Sequence, residues 1–171
     1  MSLLPRMSSK VILCLVLLTA ACAPPQDTAL YSIDPSAPDV QAMQREVART
    51  LPRFLDEAIA GDPVRYANPA VKVALPTASD TIEVIWIQPV RRATANRYVG
   101  ALANTPVDLG LLQYGDEVSF GANQIADWSF FRNGQLYGNF QDRTAMQGLP
   151  ADVRAELSAL LSPDPIPPEW R

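Results

Sequence analysis

Apolar and polar side chains alternate most regularly between residues 115 and 143, GDEVSFGANQIADWSFFRNGQLYGNFQDR. The stretch predicts three short antiparallel strands. Val118 and Phe120 share one face of the first, with Glu117 and Ser119 on the other. Ala126, Trp128 and Phe130 share a face of the second, and Leu136, Gly138 and Phe140 a face of the third, the period of two that a pleated strand requires. Asn133-Gly134 lies between the last two. Both residues adopt positive φ readily, so they predict a two-residue hairpin whose twist matches its strands.

Upstream the period changes. Val40, Met43, Val47, Leu51, Phe54, Leu55, Ala58 and Ile59 recur at helical spacing, with Gln44, Arg45, Arg49, Arg53 and Glu57 on the opposite side. Ser36 and Asp39 have capping-box spacing, Pro38 suits a first turn, and Gly61 is a natural stop. Pro52 predicts a kink or break near residues 48 to 51. Ala70 to Leu75 and Thr81 to Val90 follow as strands. In the second, Ile82, Val84, Trp86 and Val90 point one way and Ile85 and Ile87 the other, which predicts a central strand buried on both faces. Pro89 predicts that its end leaves the ladder. Arg91 to Asn96 reads as a hairpin loop, Tyr98 to Ala103 as the returning strand, and Gly100 within it as a bulge or close backbone approach. Asn104 to Tyr114 is a loop. Pro150 opens a last helix with Val153, Leu157, Leu160 and Leu161 as its buried stripe. The fold class is therefore α+β: an N-terminal helix, an antiparallel meander of five to six strands and a short C-terminal helix.

The ends of the chain add organisation. Arg6 and Lys10 precede the apolar run Val11 to Leu18, and Thr19-Ala20-Ala21-Cys22 follows. The run is too short to span a bilayer, which takes roughly 20 apolar residues, and it has the form of a signal peptide. Its ending resembles the bacterial lipobox, with Thr19 where leucine is usual. Residues 1–21 then form a lipoprotein signal peptide and Cys22 is the lipidation site. Ala23 in place of Asp implies transport to the outer membrane, with the domain facing the periplasm. An ordinary cleaved signal with an incidental cysteine is the alternative. Residues 22–38 form a proline-rich tether, 39–162 one α+β domain and 163–171 a proline-rich tail, for which disorder is the default expectation.

Composition narrows the chemistry. The chain has no histidine, and its two cysteines are Cys14, in the segment removed, and Cys22. His-containing triads, Cys-His dyads, disulfides and ordinary zinc sites are excluded, and no cofactor is implied. The net charge of −4 becomes −6 once Arg6 and Lys10 are removed, which disfavours nucleic acid and anionic headgroups as partners. The membrane is reached through the lipid.

Carboxylates, indoles and arginines remain as candidates. Asp127-Trp128 fits the mouth of a groove that holds a sugar or peptide; the more common arrangement for such a pair is a carboxylate taking backbone N–H groups at a strand entry beside a core indole. Glu83 and Trp86 share the second predicted strand, where Glu83 is either a desolvated acid with a raised pKa or an acid reaching solvent or an arginine. Arg91, Arg92 and Arg97 form a local basic cluster that suits an anionic group or is simply solvated. Trp170 in the tail is a possible partner-binding residue.

The motifs Val71-Lys72-Val73, Glu83 with Trp86, Gly100 with Asn104 and Pro106, Gly115-Asp116, Ile125-Ala126-Asp127-Trp128 and Gly138 to Arg143 occur in that order. Over residues 40 to 146 the chain resembles the bacterial domain-of-unknown-function family 2314, the YegJ-like proteins. Gly138-Asn139-Phe140-Gln141 departs from the Gly-Gly-aromatic-Ser/Thr expected there. The resemblance implies one compact domain with secreted or lipid-anchored members and brings no catalytic residues; Arg143, which closes the last motif, joins the candidate binding set of Asp127, Trp128, Glu83 and Trp86. The expected function is a noncatalytic binding domain of an envelope lipoprotein, with an immunity or inhibitor protein as a sharper variant and a protein or cell-wall partner. The alternative is a carboxylate-based hydrolase of cell-wall glycan using Glu83 with Asp116 or Asp127, whose carboxylates must stand roughly 5 to 10 Å apart. The absence of the usual catalytic groups leans against an enzyme.

Overall fold

The computed structural model describes residues 37–171. The segment expected to be a signal peptide, Cys22 and the expected tether up to Ser36 lie outside the described residues. Helix α1 spans Pro38–Arg53, with Pro38 in its first turn and Ala37 as N-cap without a side-chain bond; Ser36 of the expected capping box lies outside the described residues. Pro52 does not break the helix before residue 51. The chain stays helical through it and widens into a π-helical turn, Phe54–Ile59. A wider ladder next to a residue that lacks a donor is one way a helix absorbs a proline. Gly61 ends it, where a Cβ would fall 2.1 Å from the Glu57 carbonyl oxygen.

Six strands follow: β1 Ala67–Pro76, β2 Ile82–Thr94, β3 Arg97–Leu102, β4 Glu117–Gly121, β5 Ile125–Arg132 and β6 Gln135–Gly138. All pairs are antiparallel, in the order β4-β3-β2-β1-β5-β6. The first four strands meander; the chain then crosses to the far side of β1 and ends in the β5-β6 hairpin. Asn133 and Gly134 close that hairpin with φ of 52° and 76°, the geometry their sequence predicts.

The crossing from β4 to β5 dictates the shape of the sheet. Four strand spacings separate them, about 19 Å in a flat sheet. The link is a single 3-10 turn, Ala122–Gln124, and four residue steps reach at most about 14 Å. The sheet must therefore coil until its two sides approach. Bulges allow this: β2 pairs with β1 through Ile82 to Ile87 and with β3 from Ile87 to Thr94, with one register shift between Arg92 and Thr94 and another, around Pro89, between Ile87 and Val90. Gly100 faces that shift. A Cβ there would lie 2.4 Å from the Pro89 oxygen and 2.6 Å from Ile87 Cγ2, so only glycine lets β3 approach.

α1 fills the concave face. Val47, Phe54 and Leu55 join Val71, Val73, Ile85, Ile87, Trp128 and Phe130 in the core, and the Phe54 and Trp128 rings stack with centroids 5.2 Å apart. The convex face of β2 is open, contrary to the two-face burial its sequence predicts: Ile82 is 63% and Val84 42% exposed. Among the described residues no second layer covers Ile82 and Val84.

After Gly138 and Asn139, both at positive φ, the chain enters α2, Phe140–Ala145, so Phe140 opens a helix instead of extending β6. The last helix, α3 Ala151–Leu160, leaves Val153 and Leu160 exposed. Of its predicted stripe only Leu161 is buried, and it lies beyond the helix, bridging to Leu136 of β6. The proline-rich tail is part of the core: Trp170 is buried against Tyr66, Trp128 and Phe130, and its indole N–H donates to Glu57 Oε2 at 2.9 Å.

Candidate functional site

The cross-strand register sorts the candidate residues. Trp86, Lys72 and Asp127 form one row across β2, β1 and β5. Lys72 is 8% exposed; its ammonium lies 5.0 Å from the Trp86 ring centroid and 2.9 Å from Asp142 Oδ1. Asp127 is fully buried. Its Oδ1 accepts the N–H groups of Trp128, at 2.8 Å, and Phe140, at 3.2 Å, while Oδ2 accepts that of Gln141 at 2.8 Å. Phe140 and Gln141 open α2, whose N-cap Asn139 makes no side-chain bond, so Asp127 satisfies from another strand the donors a cap would take. Burial lifts its pKa to about 6, against the opposing pull of the Gln141 N–H and the Lys72 charge.

Trp128 lies in the core, its indole N–H donating to Thr50 Oγ1 at 3.1 Å. Of the two arrangements open to Asp127-Trp128, the structure has the one with both side chains inside the domain. Arg143 is committed as well, donating to the carbonyls of Gly138 at 2.7 Å, Ser162 at 2.8 Å and Leu136 at 3.1 Å. It ties β6, α2 and the C-terminal segment together. Burial lowers its pKa.

Glu83 stands apart. It pairs with Leu75, three residues along β1 from Lys72 and on the opposite face, which puts it about 14 Å from Asp127. Its two oxygens accept the N–H groups of Val107 and Asp108 at 2.8 and 2.9 Å, anchoring the loop between β3 and β4. Asp116 Oδ2 takes the Gln113 N–H at 2.8 Å.

The arginine cluster is divided. Arg91 pairs with Glu117 at 3.0 Å; Arg92 pairs with Asp56 at 2.8 Å and lies over the Tyr98 ring. Among the described residues, Arg97 is the member of the three left exposed without an acidic partner.

A feature absent from the motif reading is a groove of about 730 Å³ between α1 and the corner where β4 turns into β5, within the usual range for ligand sites. Val47, Ala48, Leu51 and Leu55 form one wall, Tyr98 and Arg92 the other, and Ala122 to Ala126 the floor. Its charged lining residues, Asp56 and Arg92, neutralise each other. The signal for it was present as alanines at 48, 74, 95, 122 and 126, scattered over α1, β1, the β2-β3 turn, the 3-10 turn and β5. Only the coiled sheet brings them together.

The family model for "Uncharacterized protein conserved in bacteria (DUF2314)" matches residues 41–161. The chain belongs to this family. The DUF2314 match contains the groove, the row of Trp86, Lys72 and Asp127 and every strand of the sheet. It stops before the tail that seats Trp170. No curated protein and no solved structure matches the chain.

Proposed function

We propose that this DUF2314 protein is a noncatalytic binding domain of an envelope lipoprotein, and that its ligand seats in the groove between α1 and the β4-β5 corner. The groove carries the reading. It is open, largely apolar, and its single guanidinium is already neutralised by Asp56. Such a site gains affinity by burying apolar surface and offers no free acid or base for proton transfer. The acids a glycan hydrolase would recruit are otherwise engaged: Glu83, Asp116 and Asp127 each hold backbone N–H groups. Glu83 and Asp127 also stand too far apart for the paired-carboxylate mechanism. A protein partner suits the groove, and an immunity or inhibitor role is its sharper form.

The envelope address rests on Arg6, Lys10, the apolar run and Cys22. In this proposal Cys22 carries the lipid and Ala23 directs the protein to the periplasmic side of the outer membrane. Replacing Cys22 with Ser should release the protein from the membrane fraction; retention there would remove the anchor.

The groove is tested by filling it. Ala48 is exposed on α1, so Ala48→Trp should preserve the fold while blocking the space. Cross-linking in intact cells should yield a partner with the parent chain and lose it with Ala48→Trp. A partner retained at full yield by a variant of unchanged melting temperature would overturn the groove as the site.

A further inference from the structure

The two edges of the sheet are treated differently. A strand edge presents a row of unpaired backbone donors and acceptors, and natural proteins usually cover it. The β6 edge is covered: Leu136 forms a parallel bridge with Leu161, Ser162 N–H donates to the Leu136 carbonyl, and Gly138 N–H donates to the Pro165 carbonyl. The Arg143 guanidinium also takes the Leu136 carbonyl.

Among the described residues the β4 edge is uncovered. Which of its groups face outward follows from two bonds. Leu102 N–H donates to the Asp116 carbonyl at 3.0 Å, so Asp116, and by alternation Val118 and Phe120, turn their backbone groups toward β3. Gly121 N–H donates to the Gln124 side chain at 2.9 Å, which places Gly121, Ser119 and Glu117 on the outward row. Among the described residues no backbone or side-chain group bonds the outward N–H or carbonyl of Ser119. Ser119 and Glu117 are exposed, whereas the neighbouring Phe120 is buried in the core and holds the strand in place.

Charge stands at one end of this edge. Arg97 lies directly opposite Gly121 in the β3-β4 register, so no side chain on β4 separates its guanidinium from the edge. Its cluster neighbours are neutralised by Glu117 and Asp56, and in a chain with more acids than bases it is the cation left available here.

We propose that the free edge of β4 accepts an extended peptide segment of another protein as a seventh strand, with an acidic side chain or terminal carboxylate of that segment held by Arg97. Main-chain bonds to Ser119 and Glu117 supply affinity without sequence preference, and the arginine fork supplies orientation and selectivity. The surface is distinct from the groove and stands whether or not the groove is filled.

The test uses the full mature chain in nanodiscs and two fluorescent hexapeptides of alternating Thr and Val, capped at both ends. One carries Asp at its first position and the other at its last; the tighter binder reports the direction of addition. Anisotropy should show saturable binding, and amide exchange should show protection at Ser119. Methylating the peptide nitrogens on its bonding edge should weaken binding at least tenfold. Exchanging the peptide Asp for Lys should weaken it on the parent chain and strengthen it on Arg97→Glu. Equal binding of the methylated peptide, no binding at millimolar concentration, or indifference to the charge exchange would overturn the proposal. A dimer in sedimentation that Ser119→Pro dissociates would also overturn it, assigning the edge to a second copy of the chain. The peptide arms do not depend on that variant folding.

Discussion

Trp128 Nε1 and Thr50 Oγ1 lie 3.1 Å apart inside the core, and the same hydroxyl donates to the Glu46 carbonyl at 2.6 Å. One threonine thus receives the largest buried ring of the sheet and returns its proton to its own helix, fixing α1 against β5. Thr50→Val keeps the volume and leaves a buried indole N–H unpaired. It should destabilise the domain by about 1–3 kcal/mol in urea unfolding. Thr50→Ser keeps the hydroxyl and should recover part of that loss. Equal stability of parent and Val variant would show that the bond contributes nothing net.

Trp170 makes the chain end structural. Its ring packs on Tyr66, Trp128 and Phe130, while the adjacent Glu169 forms ion pairs with Arg65 and Arg132. Trp170→Ala opens a cavity among these rings and leaves Glu57 without its indole donor. It should destabilise by roughly 3–5 kcal/mol and lower the melting temperature by on the order of 10 °C. Removing residues 168–171 should do no less. A tail that lay free on the surface would be dispensable in both experiments.

Turn and backbone chemistry made the local structure legible in advance. Asn133-Gly134, Gly100 and Gly61 each sit where a particular backbone conformation or close approach is needed, and those needs are written in single residues. The alternation of β5 likewise placed Trp128 and Phe130 inward. Long-range pairing was not legible in this way. β4 and β5 are separated by three residues yet lie on opposite sides of β1, because the sheet coils, and no local pattern encodes that. The apolar run of Ile82, Val84 and Trp86 looked two-sided because periodicity reports hydrophobicity, not the presence of a second layer. Asp127-Trp128 stood out as a pair but left its role open, since a carboxylate that caps a distant helix and one that meets a ligand look the same in sequence. The Pro-rich tail concealed Trp170 because composition argues for disorder unless the aromatic box waiting for it is known.

Gly138 and Asn139 both have positive φ, of 70° and 55°, but for opposite energetic reasons. A Cβ at Gly138 would lie 2.1 Å from the Trp128 carbonyl oxygen and 2.5 Å from its ring. Gly138→Ala therefore combines backbone strain with a clash against a fully buried side chain, and it should yield little folded protein. Asn139 has a buried Oδ1 with no described partner. Asn139→Gly relieves the left-handed strain and removes that orphan oxygen, so it should be neutral or stabilising by up to about 1 kcal/mol. Thermal unfolding of the two variants side by side distinguishes a steric requirement at residue 138 from a conformational one at 139.

The pH dependence of stability should carry two limbs of opposite sign. Glu169 is buried enough to oppose its charge, yet its own backbone N–H and the guanidiniums of Arg65 and Arg132 hold its pKa down to about 2. Its contribution is present above the ordinary glutamate pKa, about 4.3, and is lost as pH falls through about 2. Asp127 behaves inversely. Burial raises its pKa to about 6, so the folded state holds a proton that the unfolded chain releases near pH 4. Its contribution is complete below about pH 4 and lost as pH rises through about 6. A shift of this size corresponds to about 3 kcal/mol. Urea unfolding between pH 4 and 8 should therefore show the parent chain losing stability across pH 4 to 6, while Asp127→Asn, which cannot ionise, stays flat over that interval. Lys72 and Arg143 both favour the carboxylate, so Lys72→Met should move the parent transition to higher pH. A parent profile that rises from pH 4 to 6, or a slope unchanged in Asp127→Asn, would mean that the N–H groups of Trp128, Phe140 and Gln141 outweigh the cost of burying the charge.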